Sequence, residues 1–367
     1  MTKRDIVRQV VSGHELPAVP YHVVFLGPLR QKVAEHFRAE DLNRAVGNYL
    51  VWELPPAEVG RVDLPNGEWR DEWGVRWRGT GINRGYIVEH PLRSAEIAGF
   101  KPPDGRLAAR MDGLREICER YSDLYLFAWS GALFEQAHFL RGMEGLLVDM
   151  YENPTFVHNL LDICLQFNLD MVSALAAYPV DAIILSDDYG QQRGPIMSPA
   201  MWREFIRPRL KVLFAAIRAA GKRVALHSCG DVSLFVPDLL ELGLEILHPV
   251  QPDSMDIHAV KRDFGDALCI YGGVSAQTTI RFGTPEQIRD TVRREAELLS
   301  RNGRFILAPT LDLTHDVPFE NVLAFIESAA GIAQPPRSAG VPPASACDAT
   351  QPAKGRVRAT KARTRKP

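Results

Sequence analysis

Short runs of β-branched and aromatic residues alternate with longer amphipathic runs along residues 1–333, and this alternation constrains the fold more than any other feature. It is typical of repeated βα units that build a parallel sheet. The amphipathic runs predict helices, including one over Pro199–Ala219 and one over Thr284–Asn302. Seven short runs have the length and residue types of strands: Pro20–Leu26, Asp123–Trp129, Asp181–Ser186, Arg223–Ser228, Glu245–Val250, Ala267–Tyr271 and Arg304–Ala308.

This many βα units favour an α/β fold of the eight-stranded (β/α) TIM-barrel type. An open doubly wound sheet is the alternative, although the glycine fingerprint that binds phosphate in many such sheets is missing. Residues 50–103 differ from the rest and predict an N-terminal excursion over one end of the barrel, with an antiparallel pair formed by residues 71–77 and 85–90. The Trp69, Trp73 and Trp77 side chains there have a packing role by default, or form a substrate lid.

Residues 334–367 contain eight Lys and Arg against one Asp, together with many Pro and Ala residues. Such a segment cannot bury enough apolar surface to fold, so we predict a disordered basic tail and a single barrel domain over residues 1–333. A solvated appendage is the simpler interpretation of this tail, and nucleic-acid binding is not expected.

Two further features of the composition indicate where in the cell the protein is expected to be. No apolar run reaches the length of a membrane-spanning helix, so no membrane association is expected. The cysteines are few and widely spaced, which favours a reducing cytoplasm: Cys118, Cys164, Cys229, Cys269 and Cys347.

Active sites of (β/α) barrels lie where strands end and βα loops begin. The predicted strand 181–186 ends in Asp187 and Asp188, followed by Tyr189 and Gln192. Two adjacent carboxyl groups in one pocket can differ in pKa and divide acid, base and cation-binding roles between them. We therefore predict Asp187 and Asp188 as catalytic residues and Tyr189 and Gln192 as substrate-binding residues. A structural alternative, in which one of the acids caps a helix, stays open.

The predicted strand 223–228 runs into His227 and Cys229. Side chains two residues apart in a strand project to the same face, and Gly230 allows the chain to turn directly after them. Imidazole and thiolate together suit Zn²⁺, which needs one or two further ligands. A buried Cys beside a hydrogen-bonded His is the commoner outcome for this pattern alone.

The later predicted strands are also followed by polar groups. Gln251 and Gln277 are predicted to line the pocket. After the last strand the sequence supplies Asp312 and His315, which lie beyond a run, residues 308–311, that contains no cysteine.

These motifs occur in an order that resembles the uroporphyrinogen decarboxylase superfamily over most of residues 1–333, and within it the cobalamin-linked methyltransferase branch. The resemblance rests on DDYGQQRGPIMSPAMWREF (187–205), HSCGDV (227–232), PVQPDSMD (249–256), GGVSAQ (272–277), FGTPEQI (282–288), ILAP (306–309) and DVPFENV (316–322). The family fold is a (β/α) eight-stranded barrel. True decarboxylases of the family carry an arginine-rich N-terminal segment that is missing here, which disfavours a porphyrinogen substrate.

The methyltransferase branch implies zinc as cofactor and a corrinoid supplied by a separate partner protein. His227 and Cys229 match the first two zinc ligands of the branch. Thiol-methylating members have a third ligand, a cysteine just after the last strand, where this chain has none. We predict His315 as the third ligand, with Asp312, Asp188 and His248 as alternatives; the other possibility is that no metal is held tightly. The missing cysteine favours a small O- or N-methylated molecule as methyl donor.

Two other functions stay open at the level of sequence. A decarboxylase-like lyase acting on an acidic aromatic or tetrapyrrole substrate would use cationic groups at the mouth, with Arg193 the obvious one, and would work without zinc. A catalytically inactive barrel would bind a ligand without turnover. The retained acid pair and the His227 and Cys229 pair favour an enzyme.

Overall fold

Seven parallel strands form the central sheet of the protein in a computed structural model, which describes residues 1–16, 18–52, 54–55, 59–79 and 85–333. In their order across the sheet, the seven are β1 (Leu50–Val51), β6 (Tyr125–Gly131), β7 (Ala182–Ser186), β10 (Arg223–His227), β11 (Ile246–Val250), β12 (Cys269–Val274) and β13 (Phe305–Pro309). Each strand therefore lies beside the next barrel strand along the chain, and all neighbours pair in parallel.

The N-terminal segment 20–26 bridges the two edges of this curled sheet. On one side Tyr21 pairs in parallel with Leu307 of β13. On the other side the Tyr21 carbonyl accepts a hydrogen bond from the Tyr49 backbone at 3.1 Å, next to β1. Because part of its pairing uses the Asn48 side chain rather than backbone, the segment makes isolated bridges instead of the regular strand that the sequence predicts. The (β/α) barrel expected from the sequence is confirmed.

Helices cover the outside of the barrel and follow the strands in alternation. They are α1 (Lys3–Val11), α2 (Gly27–Phe37), α3 (Leu42–Ala45), α4 (Leu114–Arg120), α5 (Phe134–Arg141), α6 (Met143–Glu152), α7 (Pro154–Leu175), α8 (Pro199–Phe205), α9 (Arg207–Ala219), α10 (Val236–Leu242), α11 (Ile257–Phe264), α12 (Thr279–Phe282), α13 (Pro285–Leu299) and α14 (Phe319–Ile332). Short 3₁₀ turns occupy Pro65–Gly67, Ala108–Met111 and Ser233–Phe235. None of the helices within the described residues is long and apolar enough to cross a membrane.

Two predicted helices show how local sequence sets the helix ends. The helix predicted over Thr284–Asn302 is present as α13, and Thr284 caps it through a reciprocal pair of hydrogen bonds with Gln287. The helix predicted over Pro199–Ala219 is divided into α8 and α9 at Ile206. Pro208 explains the division, because proline has no N–H and fits the first turn of a helix but not its interior.

A second, antiparallel sheet follows β1 and contains β2 (Val62–Asp63), β3 (Glu68–Arg70), β4 (Arg76–Arg78) and β5 (Tyr86–Glu89). The predicted antiparallel pair is therefore confirmed as β4 and β5. Trp77 packs edge-on against Phe139 of α5, and Trp73 against Phe167 of α7. Both indoles are buried, which assigns them the packing role. That the sheet covers one end of the barrel stays a prediction.

A two-stranded hairpin, β8 (Gly190–Gln191) and β9 (Gly194–Pro195), follows β7 at the mouth of the barrel. The predicted disordered tail, residues 334–367, lies outside the described residues.

Candidate metal centre

The loops that follow β7 and β10 cross in direct backbone contact. A Cβ atom added to Gly230 would lie 2.3 Å from the carbonyl carbon of Gly190, and the φ angle of Gly230 is +78°. Only glycine tolerates both conditions. The Asp231 N–H donates to the Gln191 carbonyl at 2.9 Å, which joins the two loops next to the crossing. The crossing brings the carboxyl ends of β7 and β10 together.

Asp188, His227 and Cys229 form one cluster at this point. One ligand atom from each side chain lies within 4.8 Å of the others. The His227 Nε2 atom is 3.6 Å from the Cys229 Sγ atom and 3.8 Å from the Asp188 Oδ1 atom. The Asp188 carboxylate also accepts the Cys229 N–H at 2.7 Å, which fixes its position. Side-chain exposures of 20% for His227 and 36% for Asp188 leave the cluster open on one side.

His248, in the middle of β11 and paired in register with His227, sets the orientation of the His227 ring. Their Nδ1 atoms are 2.9 Å apart, so one Nδ1 donates to the other. Burial lowers the pKa of His248 well below its usual range, so its ring stays neutral and can accept. When His227 donates from Nδ1, its Nε2 lone pair faces Asp188 and Cys229. In a metal-binding histidine, the ring nitrogen that does not bind the metal is typically held by a hydrogen bond.

Aromatic side chains line the interior beside the cluster. The Trp52 ring lies 4.4 Å from the His248 ring and 4.7 Å from the Trp129 ring, centroid to centroid. The Trp129 indole N–H donates to the Trp52 carbonyl at 2.9 Å, which fixes its orientation. Deeper inside, the Tyr271 hydroxyl lies 2.6 Å from Nδ1 of the buried His22, whose pKa is lowered to about 3 by burial. The cluster therefore has an aromatic wall on one side, where the Trp52 and Trp129 rings lie 6.2 and 5.8 Å from the His227 ring.

The electrostatics of the cluster favour a cation. Burial raises the pKa of the Cys229 thiol, and the carboxylates of Asp188, Glu135 and Asp312 raise it further. Without a positive charge the sulfur stays protonated, whereas a bound metal would hold it as thiolate. One nitrogen, one sulfur and one oxygen ligand with an open side fit a catalytic zinc site, which keeps a position free for substrate.

Asp187 lies next to Asp188 in sequence but points away from the cluster. It is fully buried and accepts hydrogen bonds from the backbone N–H groups of Leu133, Phe134 and Glu135, at 3.1, 3.0 and 2.6 Å. The Tyr189 hydroxyl donates a fourth, at 2.6 Å. Burial raises the pKa of Asp187 to about 6, although these four donors act in the opposite direction. Its position is that of a cap on the N-terminus of α5.

Two of the predicted substrate-binding residues are built into the protein interior. Tyr189 is fully buried and packs against the rings of Phe134 and Trp202. Gln251 is buried as well, and its Oε1 atom accepts the Gly230 N–H at 2.6 Å. Its observed contact supports the loop that carries Cys229.

The other predicted residues lie in the outer parts of the loops. Gln192 is exposed, and its Nε2 atom donates to the Asp253 carbonyl at 2.9 Å. Gln277 is half-buried in the loop after β12. His315, the predicted third ligand, is exposed and lies outside the cluster, where the structure places Asp188 instead.

Sequence reasoning did not identify Trp52, Trp129, Glu135 or His138 as residues of this region. Trp129 ends a predicted strand, and this position could have identified it as a residue of the barrel mouth. Trp52 follows a strand of only two residues, too short to be recognised. His138 is on α5, and its pKa is lowered to about 4 by burial, with the Asp188 carboxylate acting against that shift.

The fold and the cluster define a (β/α)-barrel protein with a half-open group of Asp, His and Cys side chains, at the carboxyl ends of its strands, that could hold a metal ion. The chain belongs to the uroporphyrinogen decarboxylase (URO-D) family, because the family model matches residues 79–332. This confirms the resemblance seen in the sequence motifs.

Similar proteins support the methyltransferase branch of the family. A methylcobamide:CoM methyltransferase, MtaA, from Methanosarcina barkeri is 27% identical over 166 residues, which are 45% of this chain and 46% of that protein. The chain thus spans about half the length of this relative. The methylcobamide:CoM methyltransferase MtbA from Methanosarcina acetivorans is 20% identical over 262 residues, 68% of this chain and 74% of that protein.

A solved structure shows the same fold. The structure of a methyltransferase from Methanosarcina mazei superposes with a TM-score of 0.70 at 18% identity, covering 91% of this chain and 100% of that one.

Proposed function

We propose that this protein is a zinc-assisted methyltransferase that moves a methyl group between a small O- or N-methylated molecule and a corrinoid carried by a separate protein. The observation that carries the proposal is the Asp188, His227 and Cys229 cluster, open on one side at the mouth of a URO-D barrel. The relatives supply the corrinoid part, since both are named as methylcobamide methyltransferases.

In this proposal Asp188, His227 and Cys229 hold the metal, and His248 keeps His227 in the tautomer that can bind. Zinc supplies Lewis acidity to the heteroatom that bears the methyl group. The departing oxygen or nitrogen also needs a proton, because its anion leaves slowly. Glu135 in its protonated form is placed to deliver this proton, because it lies in the first turn of α5 and its side chain is near enough to Cys229 to raise the pKa of the thiol when ionised.

Asp187 acts as a positioning residue here. Its carboxylate accepts the Glu135 N–H at 2.6 Å and so fixes the start of α5 relative to the cluster. Asp188 is the member of the acid pair that contacts the reacting groups, as a metal ligand. The two adjacent acids thus have different roles in this proposal. Asp188 binds the metal, and Asp187, which the sequence predicts as catalytic, positions α5 instead.

The ligand set bears on the class of methyl donor. Asp188 contributes oxygen where the thiol-methylating members of the branch have a second cysteine. A metal with one thiolate and one carboxylate is a harder Lewis acid than one with two thiolates, and it favours oxygen or nitrogen over sulfur as the atom to be polarised. The Trp52 and Trp129 wall would pack against the apolar part of such a donor.

The lyase alternative has less support. It requires an acid, Asp187 or Asp188, to hold the substrate; Asp187 already accepts four hydrogen bonds, which leaves Asp188 for that role. Arg193, the cation proposed to hold an acidic substrate, is exposed in the hairpin loop between β8 and β9.

The test is methyl transfer to reduced cobalamin, which replaces the partner protein and reports methylation by its visible spectrum. Zinc-loaded protein is incubated with a panel of methyl ethers and methylated amines. We expect methylcobalamin from at least one donor, and a loss of about 100-fold or more in Cys229→Ala. His315→Ala, which changes an exposed histidine outside the cluster, serves as the matched control and keeps the wild-type rate.

Failure of the wild-type protein to methylate cobalamin with any donor, or equal rates in the Cys229→Ala variant, would contradict the proposed reaction. Release of CO₂ from aromatic acids by metal-free protein would favour the lyase instead.

A further inference from the structure

A cavity of about 390 Å³ lies at the opposite end of the barrel from the metal centre. It is lined where β6, β7 and β10 begin, by Tyr125, by Asp181 and by Arg223. The cluster of Asp188, His227 and Cys229 lies where β7 and β10 end. This cavity is therefore separate from the proposed reaction site, and its volume is within the range of small-molecule sites.

Cationic side chains dominate the lining. Arg4, Arg8, Lys222 and Arg223 contribute four positive charges, against the single carboxylate of Asp181.

Asp181 and Glu245 neutralise part of this charge. Asp181 pairs with Arg4 at 2.9 Å and with Arg8 at 2.6 Å, and Arg223 pairs with Glu245, which does not line the cavity. Two positive charges remain in excess after these pairs. The Arg8 side chain is 52% exposed, so a ligand can reach it from solvent.

Lys222 and Tyr125 add hydrogen-bond donors that can still bind a ligand. The Lys222 ammonium donates to two carbonyl oxygens, those of Tyr178 and Val180, and has a third N–H to give. Tyr125 is only 1% exposed, and its hydroxyl finds no hydrogen-bond partner within the described ranges. A buried hydroxyl without a hydrogen-bond partner lowers stability unless a ligand or water supplies that partner. Burial raises the pKa of Tyr125, so the group is a donor rather than an anion.

We propose that this cavity binds a small oxyanion, a phosphate or carboxylate group, which accepts hydrogen bonds from the Tyr125 hydroxyl and from the Lys222 and Arg8 side chains. The site is independent of the metal centre, and the proposal does not rest on the proposed function. An anion there would also join the N-terminal helix α1, which carries Arg4 and Arg8, to the base of the barrel.

The experiment is calorimetric titration of the full chain with inorganic phosphate and, separately, with succinate, in chloride buffer of matched ionic strength. We expect saturable binding of one of the two, and its identity assigns the oxyanion as phosphate or carboxylate. Tyr125→Phe, which removes only the hydroxyl, should weaken binding about ten-fold or more. Arg8→Gln should weaken it as well; the Arg8 side chain is 52% exposed, and Arg4 still pairs with Asp181 in this variant.

Two controls separate this site from other sources of binding. Arg301→Gln removes an exposed arginine that does not line the cavity, and Cys229→Ala disables the metal cluster. Both should bind as the wild type does. Without any anion Tyr125→Phe should be at least as stable as wild type, which shows that it folds. Absence of saturable binding of both anions, or equal affinity in Tyr125→Phe and wild type, would overturn the proposal.

Discussion

In the proposed zinc site, the orientation of the His227 imidazole ring decides whether the cluster can bind metal. His227 presents its Nε2 atom to Cys229 and Asp188 only while its Nδ1 atom is held by His248, 2.9 Å away. Sequence patterns could place His227 at a strand end but could not find this partner, because the two histidines are brought together only by the pairing of β10 with β11.

His248→Phe should therefore lower zinc affinity by about 10- to 100-fold, since the phenyl ring fills the space but accepts no hydrogen bond. His248→Asn, which offers an acceptor oxygen, should recover part of the loss. Competition with a chromogenic chelator measures both affinities. Equal affinity in His248→Phe and wild type would remove His248 from the site.

The metal cluster also depends on how two elements meet, at the loops after β7 and β10. Gly230→Ala places a Cβ atom against the Gly190 backbone, so the Cys229 loop must move. We expect a loss of stability of about 2 kcal/mol or more, together with loss of zinc. Gly221 has a similar φ angle of +70° with nothing within 4 Å of an added Cβ. The Gly221→Ala control should be destabilised less and keep its zinc, as measured by urea unfolding and elemental analysis.

Helix α5 is the second element on which the site depends. Asp187→Asn replaces one acceptor oxygen by an amide that faces N–H donors, and it should lower the unfolding free energy by about 2 kcal/mol or more. Zinc binding at saturating metal should persist. Asp188→Asn is the matched neighbour and should show the reverse, with unchanged folding and lost zinc. If Asp187→Asn folds normally and loses zinc, the assignment of the two acids is wrong.

Most of the barrel strands could be predicted from the sequence. Six predicted strands match barrel strands to within a few residues, because β-branched runs bounded by helical patterns leave little choice. The two-residue strand β1 was not recognisable, since Leu50–Val51 carries no periodicity. Among the site residues, His227 and Cys229 follow from strand alternation. Asp188 could not be separated from Asp187, because which acid caps α5 depends on packing between distant segments.

At the scale of the whole molecule, burial lowers the pKa of several histidines. The pKa is lowered by burial for His22, to about 3, for His138, to about 4, and also for His227 and His248. Since the unfolded chain binds these protons near pH 6.5 and the folded chain does not, stability is present above that pH and is lost as the pH falls.

His22 alone should contribute a loss of about 2 kcal/mol between pH 7.5 and pH 5. In His22→Gln, which can still accept from Tyr271, urea unfolding should show a smaller difference between the two pH values by this amount. The exposed His14→Gln variant is the control and should keep the wild-type difference. An unchanged pH dependence in His22→Gln would show that the buried His22 does not cause this loss of stability.

The central claim is that Asp188, His227 and Cys229 hold zinc. Elemental mass spectrometry of purified protein tests it most directly, on wild type, Asp188→Asn, His227→Ala, Cys229→Ala and the control His315→Ala. We expect about one zinc per chain in wild type and control, and loss of zinc in the three cluster variants. Zinc-free wild type after loading, or zinc retained in the cluster variants but lost in His315→Ala, would contradict it.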